Sequence, residues 1–352
     1  MQSRRIRLGI VGTGFGARVL APAFASAQNC ELTAICATSH DRASHAASQL
    51  KIPVAYGDWR LLIADRSIDA VAIATPPDVQ PEIALAAIEK RKHVFCEKPL
   101  AISLATAERL AAAAESANII NMVDFEFPEA HAWQAAKSIL NAGQLGSLRH
   151  AAVNWNVETY AVRMNLISWK TQRAHGGGTL FNFVSHVFHY IEWLLGPIVE
   201  LSARLFGRAR TLERSDRQDL GDTFVTVSFG TAKVPGTIAV STDAVHGTGH
   251  SLELYGELAS IVLRNHTDDY IGGFELLLGK KGSDGLQVVC APPATGPSDG
   301  RIEAVAKLAN RFVNSIQSGT SAKPNFQDGV RVQYLLQQAL LSDQRRCTVS
   351  CE

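Results

Sequence analysis

A short apolar strand, Arg7–Val11, runs directly into a glycine turn, Gly12-Thr13-Gly14-Phe15-Gly16-Ala17, and a helical stretch, Ala17–Ala27, follows at once. Few folds accept that order. A strand, a turn nearly free of side chains and a helix N-terminus open a βαβ unit, in which backbone amides and the positive helix end face whatever lies beyond the strand. Gly12, Gly14 and Ala17 keep the spacing G-x-G-x-x-A that a dinucleotide pyrophosphate needs, and Gly16 loosens the turn further.

The alternation continues. Strands are expected at Leu32–Ala37, Asp69–Ala74, His93–Cys96 and Ile119–Val123, with a weaker one near Val54–Tyr56. Alanine-rich helices fall between them, at Arg42–Leu50, Pro81–Arg91 and Leu104–Asn118, with Pro81 suited to a first turn that needs no amide donor. This is a doubly wound parallel sheet ending near residue 124. Beyond Asp124 come a helix, Ala130–Asn141, and longer, more polar strands, including Leu148–Val157, Phe224–Phe229, Gly236–Ser241, Leu252–Tyr255 and Ser260–Leu263. A mainly antiparallel sheet follows from that pattern. Helices at Thr179–Leu195, Ile302–Ser318 and Gln327–Ser342 and a loop at Ala291–Gly300 complete the reading. The expected fold class is α/β, with a dinucleotide-binding domain over 1–124 and a C-terminal α+β domain over 125–352 on a large, open, mainly antiparallel sheet.

Choice of cofactor turns on the end of the second strand, where an acid would bind the ribose hydroxyls of NAD. Here stand Thr38 and Ser39 with Arg42 close by, which suits a 2′-phosphate, so NADP is the expected cofactor and NAD the alternative. Asp41 lies deeper in the loop and reads as the cap of the second helix. Thr75 and Pro76, followed by Pro77, end the next long strand at the carboxyl edge and form a wall against the cofactor or simply a rigid turn. Glu97-Lys98-Pro99 ends the fifth strand at the same edge and puts a lysine where a nicotinamide ring would lie.

At these residues the chain resembles the Gfo/Idh/MocA family of NAD(P)-dependent oxidoreductases. The resemblance rests on the turn at 12–17, on Ala74-Thr75-Pro76-Pro77 and on Cys96-Glu97-Lys98-Pro99-Leu100. It extends to Gly176-Gly177-Gly178 leading to Asn182 and His186, and to the closing run Pro324–Gly329. It implies a Rossmann half, with Glu97 and Lys98 beside the cofactor and Lys98 and His186 as the catalytic pair. Lys98 holds positive charge beside a developing alkoxide, and His186 exchanges the proton. The bland alternatives are a surface ion pair of Lys98 with Glu97 and a satisfied core histidine at 186. Glu126, Trp169 and Asn182 join Lys98 and His186 as the implied substrate side, with no metal. Trp155 and Tyr160 are further stacking candidates unless they are core.

Three positions depart from the family pattern: Asn182 replaces an aspartate, His189 an aspartate, and Gln80 a histidine. The leading expectation is hydride transfer to or from a hydroxyl or ketone carbon of a sugar, nucleotide sugar or cyclic polyol. The alternatives are an NAD-retaining glycosidase or sugar oxidoreductase that recycles its hydride, and a non-catalytic dinucleotide-binding sensor.

Lys+Arg 34 against Asp+Glu 33 leaves no field for nucleic acid or an anionic membrane, and no apolar run reaches the ~18 residues of a spanning helix. With no signal-peptide pattern and six scattered cysteines lacking any CxxC, a cytoplasmic protein with reduced thiols is expected. The resemblance adds a homo-oligomer, dimer or tetramer, paired through the open sheet face.

Overall fold

The computed structural model describes residues 4–207, 219–292 and 299–352, and its first sheet takes its strands from the β-branched runs. β1 (Ile6–Val11) leads through a π turn, Gly16–Leu20, into α1 (Ala21–Ala25). Then follow β2 (Cys30–Cys36), α2 (His40–Leu50), β3 (Val54–Tyr56), α3 (Trp59–Ala64) and β4 (Ala70–Ile73). α4 (Gln80–Glu89), β5 (His93–Cys96), α5 (Leu104–Ser116) and β6 (Asn121–Val123) complete the run. All neighbours pair parallel, in the order β3-β2-β1-β4-β5-β6. That order reverses between β1 and β4, and open α/β sheets bind ligands at such a switch point. The carboxyl ends of β1 and β4 meet there, with Ala74 N donating to Val11 O.

The chain's second sheet has a helix, α6 (His131–Asn141), before its first strand, β7 (Leu148–Asn156), and then a single short turn, α7 (Tyr160–Arg163). A π turn, Leu180–Val184, opens α8 (Ser185–Leu195). β8 (Ile198–Gly207), β9 (Asp222–Thr231), β10 (Pro235–Ser241), β11 (Gly249–Gly256), β12 (Ala259–Asn265), β13 (Glu275–Lys280) and β14 (Gln287–Cys290) follow. The chain closes with α9 (Arg301–Ser318), α10 (Phe326–Arg345) and β15 (Val349–Ser350). Nine strands order as β14-β13-β12-β11-β7-β10-β9-β8-β15, antiparallel except for β7 with β10. Period-two burial puts Ala151, Val153 and Trp155 of β7 and Leu252 and Leu254 of β11 on the covered face. The mainly antiparallel second sheet is as expected. Positions 293–298 of the loop read at 291–300 lie outside the described residues.

The chain divides into two units: residues up to Glu126 with Arg301–Gln333, and Phe127–Gly300 with Tyr334–Glu352. The division at 124 read from the sequence therefore omits a segment of the first unit. α9 carries a stripe at i, i+3, i+4 and i+7, namely Val305, Leu308, Ala309 and Phe312, all fully buried. Phe312 meets Phe24 of α1 and Phe95 of β5 edge to face, at 6.2 and 5.8 Å between ring centroids. Each such ring contributes roughly 1.5–3 kcal/mol by burial, enough to bind α9 to the parallel sheet. Among the elements not read from the sequence, α3 spans six residues, β14 four and β15 two, too short to show a period.

Candidate functional site

Gly12 N donates to Cys36 O at 2.9 Å, and its φ of +111° is one that L side chains rarely adopt. A Cβ there would stand 2.3 Å from Ala74 O, whereas one on Gly14 would meet nothing within 4 Å. The turn is thus closed towards β4 and open outwards, where Thr13 and Phe15 flank Gly14. Gly16 is buried, and its Cβ would press on Ile10 at 3.0 Å, while Ala17 is only half-buried. Close helix-to-strand packing therefore falls to Gly16, not to the Ala17 that the spacing singles out. Across the switch point the Thr75 hydroxyl is buried without a partner among the described residues, behind Pro76, whose carbonyl accepts from Val79 N and Gln80 N at 3.0 Å. An open cradle of turn amides and an orphaned hydroxyl beside it fit a dinucleotide.

At the end of β2, Ser39 is extended (φ −148°) and caps α2, its hydroxyl accepting from Arg42 N at 3.4 Å. The cap is Ser39 and not Asp41, because only the extended residue before the helix can turn its oxygen onto the first free amides. Arg42 Nη1 donates to Thr38 Oγ1 at 3.4 Å on an exposed edge. Hydroxyls and a guanidinium form that corner.

Glu97 N donates to Ile73 O at 2.9 Å, which fixes the Glu97-Lys98-Pro99 turn to the end of β4. Gln80, 1% exposed, holds the turn from the other side: its Nε2 donates to the carbonyls of Glu97, Pro99 and Leu100 at 2.7, 3.2 and 3.3 Å. A replacement read from the sequence as a departure is the clamp of the turn. Lys98 N donates to Glu97 Oε2 at 3.2 Å, and the glutamate Oε1 is shielded from solvent. Lys98 is half-buried, and its positive charge opposes the rise that burial imposes on the Glu97 carboxyl. Asp124 and Glu126 lie at the end of β6 in the same cluster, 0% and 3% exposed. Burial, opposed by Lys98, pushes the Glu126 carboxyl up to about 7, and burial with Glu97 beside it pushes Asp124 well above its ordinary range. Arg301, far along the chain, brings its guanidinium within 5.2 Å of the Phe15 ring and favours ionised Glu97 and Glu126.

In the second unit His186, 2% exposed, sits among aromatic rings: Phe127 at 5.0 Å, Tyr270 at 6.3 Å and Trp155 at 6.4 Å. Asn182 lies in the π turn, where its Nδ2 donates to Gly178 O at 2.8 Å and Lys170 O at 3.2 Å. Those bonds tie it to the Trp169–Gly178 loop, which Asp222 anchors by accepting from Leu180 N at 2.7 Å. A Cβ on Gly177 would strike Trp169 O at 2.4 Å, so the loop closes only with glycine there. Trp155 is 2% exposed and stacked flat on His250, which makes it core and not a sugar platform; Tyr160 is exposed. Lys98, Glu97, Glu126 and the glycine turn thus belong to one unit, and His186, Asn182 and Trp169 to the other. Asp124, Arg301, Tyr270 and His250 were missed from sequence. Only Asp124, an acid at the carboxyl end of a sheet strand, carried a readable signal.

Comparison with known proteins agrees with this geometry. Residues 6–125 match the oxidoreductase family with an NAD-binding Rossmann fold, and residues 133–262 match the GFO/IDH/MocA C-terminal domain. An uncharacterized oxidoreductase, sll0816, of Synechocystis sp. is 31% identical over 347 residues, covering 95% of this chain and 93% of that protein. Levoglucosan dehydrogenase of Pseudarthrobacter phenanthrenivorans is 25% identical, over 94% of both chains. A solved levoglucosan dehydrogenase in complex with NADH superposes with a TM-score of 0.88 at 25% identity, covering 99% of this chain and 100% of that one. An NAD-binding Rossmann unit followed by this C-terminal domain places the chain in the Gfo/Idh/MocA family of NAD(P)-dependent oxidoreductases.

Proposed function

We propose that the chain moves hydride between NADP and a hydroxyl or ketone carbon of a sugar or cyclic polyol. The observation that carries this reading is the Glu97-Lys98-Pro99 turn, pinned by Gln80 at the carboxyl edge two strands from the glycine cradle. Gly12, Thr13, Gly14, Phe15 and Gly16 would hold the pyrophosphate, and Thr75 and Pro76 would line the nicotinamide side. The ring supplies or accepts the hydride when bound. Lys98 keeps its ammonium beside the substrate oxygen, where charge develops, and His186 gives or takes that oxygen's proton. Glu126, Trp169 and Asn182 position the remaining hydroxyls. Relatives named levoglucosan dehydrogenase, myo-inositol 2-dehydrogenase and 1,5-anhydro-D-fructose reductase support a cyclic polyhydroxylated substrate. The three bonds from Gln80 weigh against the sensor reading, since this amide keeps the lysine turn fixed.

NADP is favoured over NAD by Thr38, Ser39 and Arg42, with no carboxylate at the end of β2. Titration by energy transfer from tryptophan to the reduced ring is expected to show tighter binding of NADPH than of NADH. Arg42→Ala is expected to weaken NADPH about ten- to a hundredfold, the range for one charge-assisted bond to a phosphate, and to leave NADH unchanged. Equal losses for both cofactors would refute the assignment.

A homo-oligomer is supported by the second face of the nine-stranded sheet, which presents Phe206 stacked on Phe224, His150 stacked on Tyr255, and the Arg264–Glu275 ion pair. Phe206 is 48% exposed there. Light scattering is expected to give a dimer or tetramer mass; a monomer at micromolar concentration would contradict it. All six cysteines are free thiols, and none of the described helices is long and apolar enough to cross a membrane, which supports a cytoplasmic setting.

A further inference from the structure

We propose that Glu97 and Asp124 hold one proton between them, forming an acid–carboxylate pair that acts as a positioning device behind Lys98. The strands bring them together. β5 and β6 pair parallel with Cys96 opposite Val123, and Asp124 N donates to Cys96 O at 2.8 Å. Glu97 and Asp124 are therefore the next aligned residues, and side chains at aligned positions of parallel strands share a face.

Burial decides what the pair can be. Both oxygens of Asp124 and Oε1 of Glu97 are closed to solvent, and among the described residues no N–H or hydroxyl donor reaches them. The carboxyl groups meet each other instead. Two carboxylates in contact inside a protein cannot both ionise, since each would be desolvated and would repel the other. One proton turns the contact into a charged hydrogen bond, O–H···O⁻, which is among the stronger kinds.

The neighbours agree on the count. Glu126, Lys98 and Arg301 face the pair, with the Cys96 thiol beneath. Three carboxylates against two cations would leave an uncompensated buried charge, and one retained proton leaves two against two. Burial raises both carboxyls; at Asp124 the charges of Glu97 and Glu126 add to it, whereas at Glu97 Lys98 and Arg301 oppose it. The proton resides chiefly on Asp124. A pair with one negative charge anchors the Lys98 turn without drawing its ammonium back from the substrate oxygen. That last consequence rests on the catalytic assignment of Lys98; the shared proton does not.

Infrared spectroscopy of the full chain in heavy water tests the proton directly. At about pH 8.5, above the range where Glu126 titrates, the wild type is expected to keep the carbonyl stretch of a protonated, hydrogen-bonded carboxyl. Asp124→Asn, whose amide donates in place of the acid, is expected to lose that band. No band in the wild type, or a band that persists in Asp124→Asn, would overturn the shared proton. Kinetics test the positioning role. Asp124→Asn is expected to keep kcat within about threefold, and Asp124→Leu, with no bond to Glu97, to lower kcat at least about tenfold with cofactor affinity retained. An unchanged kcat in Asp124→Leu would remove that role, and a loss of both in a chain whose Tm also falls would mean only a damaged fold and count against it. Activity that survives in Lys98→Met would defeat the catalytic reading and leave the infrared result standing.

Discussion

Lys98→Met is expected to lower kcat about 10²–10³-fold while NADPH affinity stays near wild type. Methionine keeps the apolar stem and its length and deletes only the charge. The turn itself should survive, because it is held by backbone groups: Glu97 N on Ile73 O, and Gln80 Nε2 on three carbonyls. The proposed cofactor cradle, Gly12 and Gly14, lies at the end of a different strand. The fall should thus appear in kcat and kcat/KM together, the mark of an interaction made in the transition state. Lys98→Arg should recover only part of the rate, since a planar fork replaces a point charge. The loss of Lys98 has a second effect: it is the largest influence holding down the Glu126 carboxyl, so that group should titrate at higher pH in the variant. Steady-state kinetics with a fluorescence titration of NADPH check the first effect. An unchanged kcat would end the assignment.

Much of the first unit was legible because its signals are local. Strand, glycine turn and helix follow one another within twenty or so residues, and each has its own period. The lysine turn was equally plain. What stayed hidden depends on contacts between distant parts of the chain. Nothing near Arg301 shows that it will stand over Phe15, and the stripe on α9 reads as amphipathic without saying which sheet receives it. Gln80 showed up only as a missing histidine, since the carbonyls it clamps lie some twenty residues on. Asp124 looked like the end of a strand until the register set it beside Glu97. A cap cannot be read from residue type alone either: Ser39 and Asp41 both qualify, and backbone conformation chose between them.

His250 was wholly silent in the sequence, and it dominates the expected acid sensitivity of the second unit. Its ring lies flat on Trp155 at 4.0 Å, its Nε2 is 2.9 Å from the Tyr190 hydroxyl, and it is 4% exposed. Phe127 and Phe274 stand edge-on at 5.4 and 5.2 Å. Burial among these rings pushes its pKa down to about 3 from 6.5. The folded chain therefore holds it neutral while the unfolded chain takes up a proton below about pH 6.5. Its contribution is fully present above that value and is lost as the pH falls towards 3, at about 1.4 kcal/mol per pH unit. Glu126 works in the opposite sense, its stabilising share present at acid pH and lost as the pH rises from 4.5 through about 7. A variant altered at the histidine and its hydroxyl partner separates the two. His250→Phe with Tyr190→Phe keeps the stack and removes both polar partners, so no buried hydroxyl is stranded. Between about pH 7.5 and pH 5 the wild type should lose about 2 kcal/mol more unfolding free energy than the double variant, by urea denaturation. An equal loss in both would show that His250 takes up its proton in the folded chain, and that the aromatic cage is open to water.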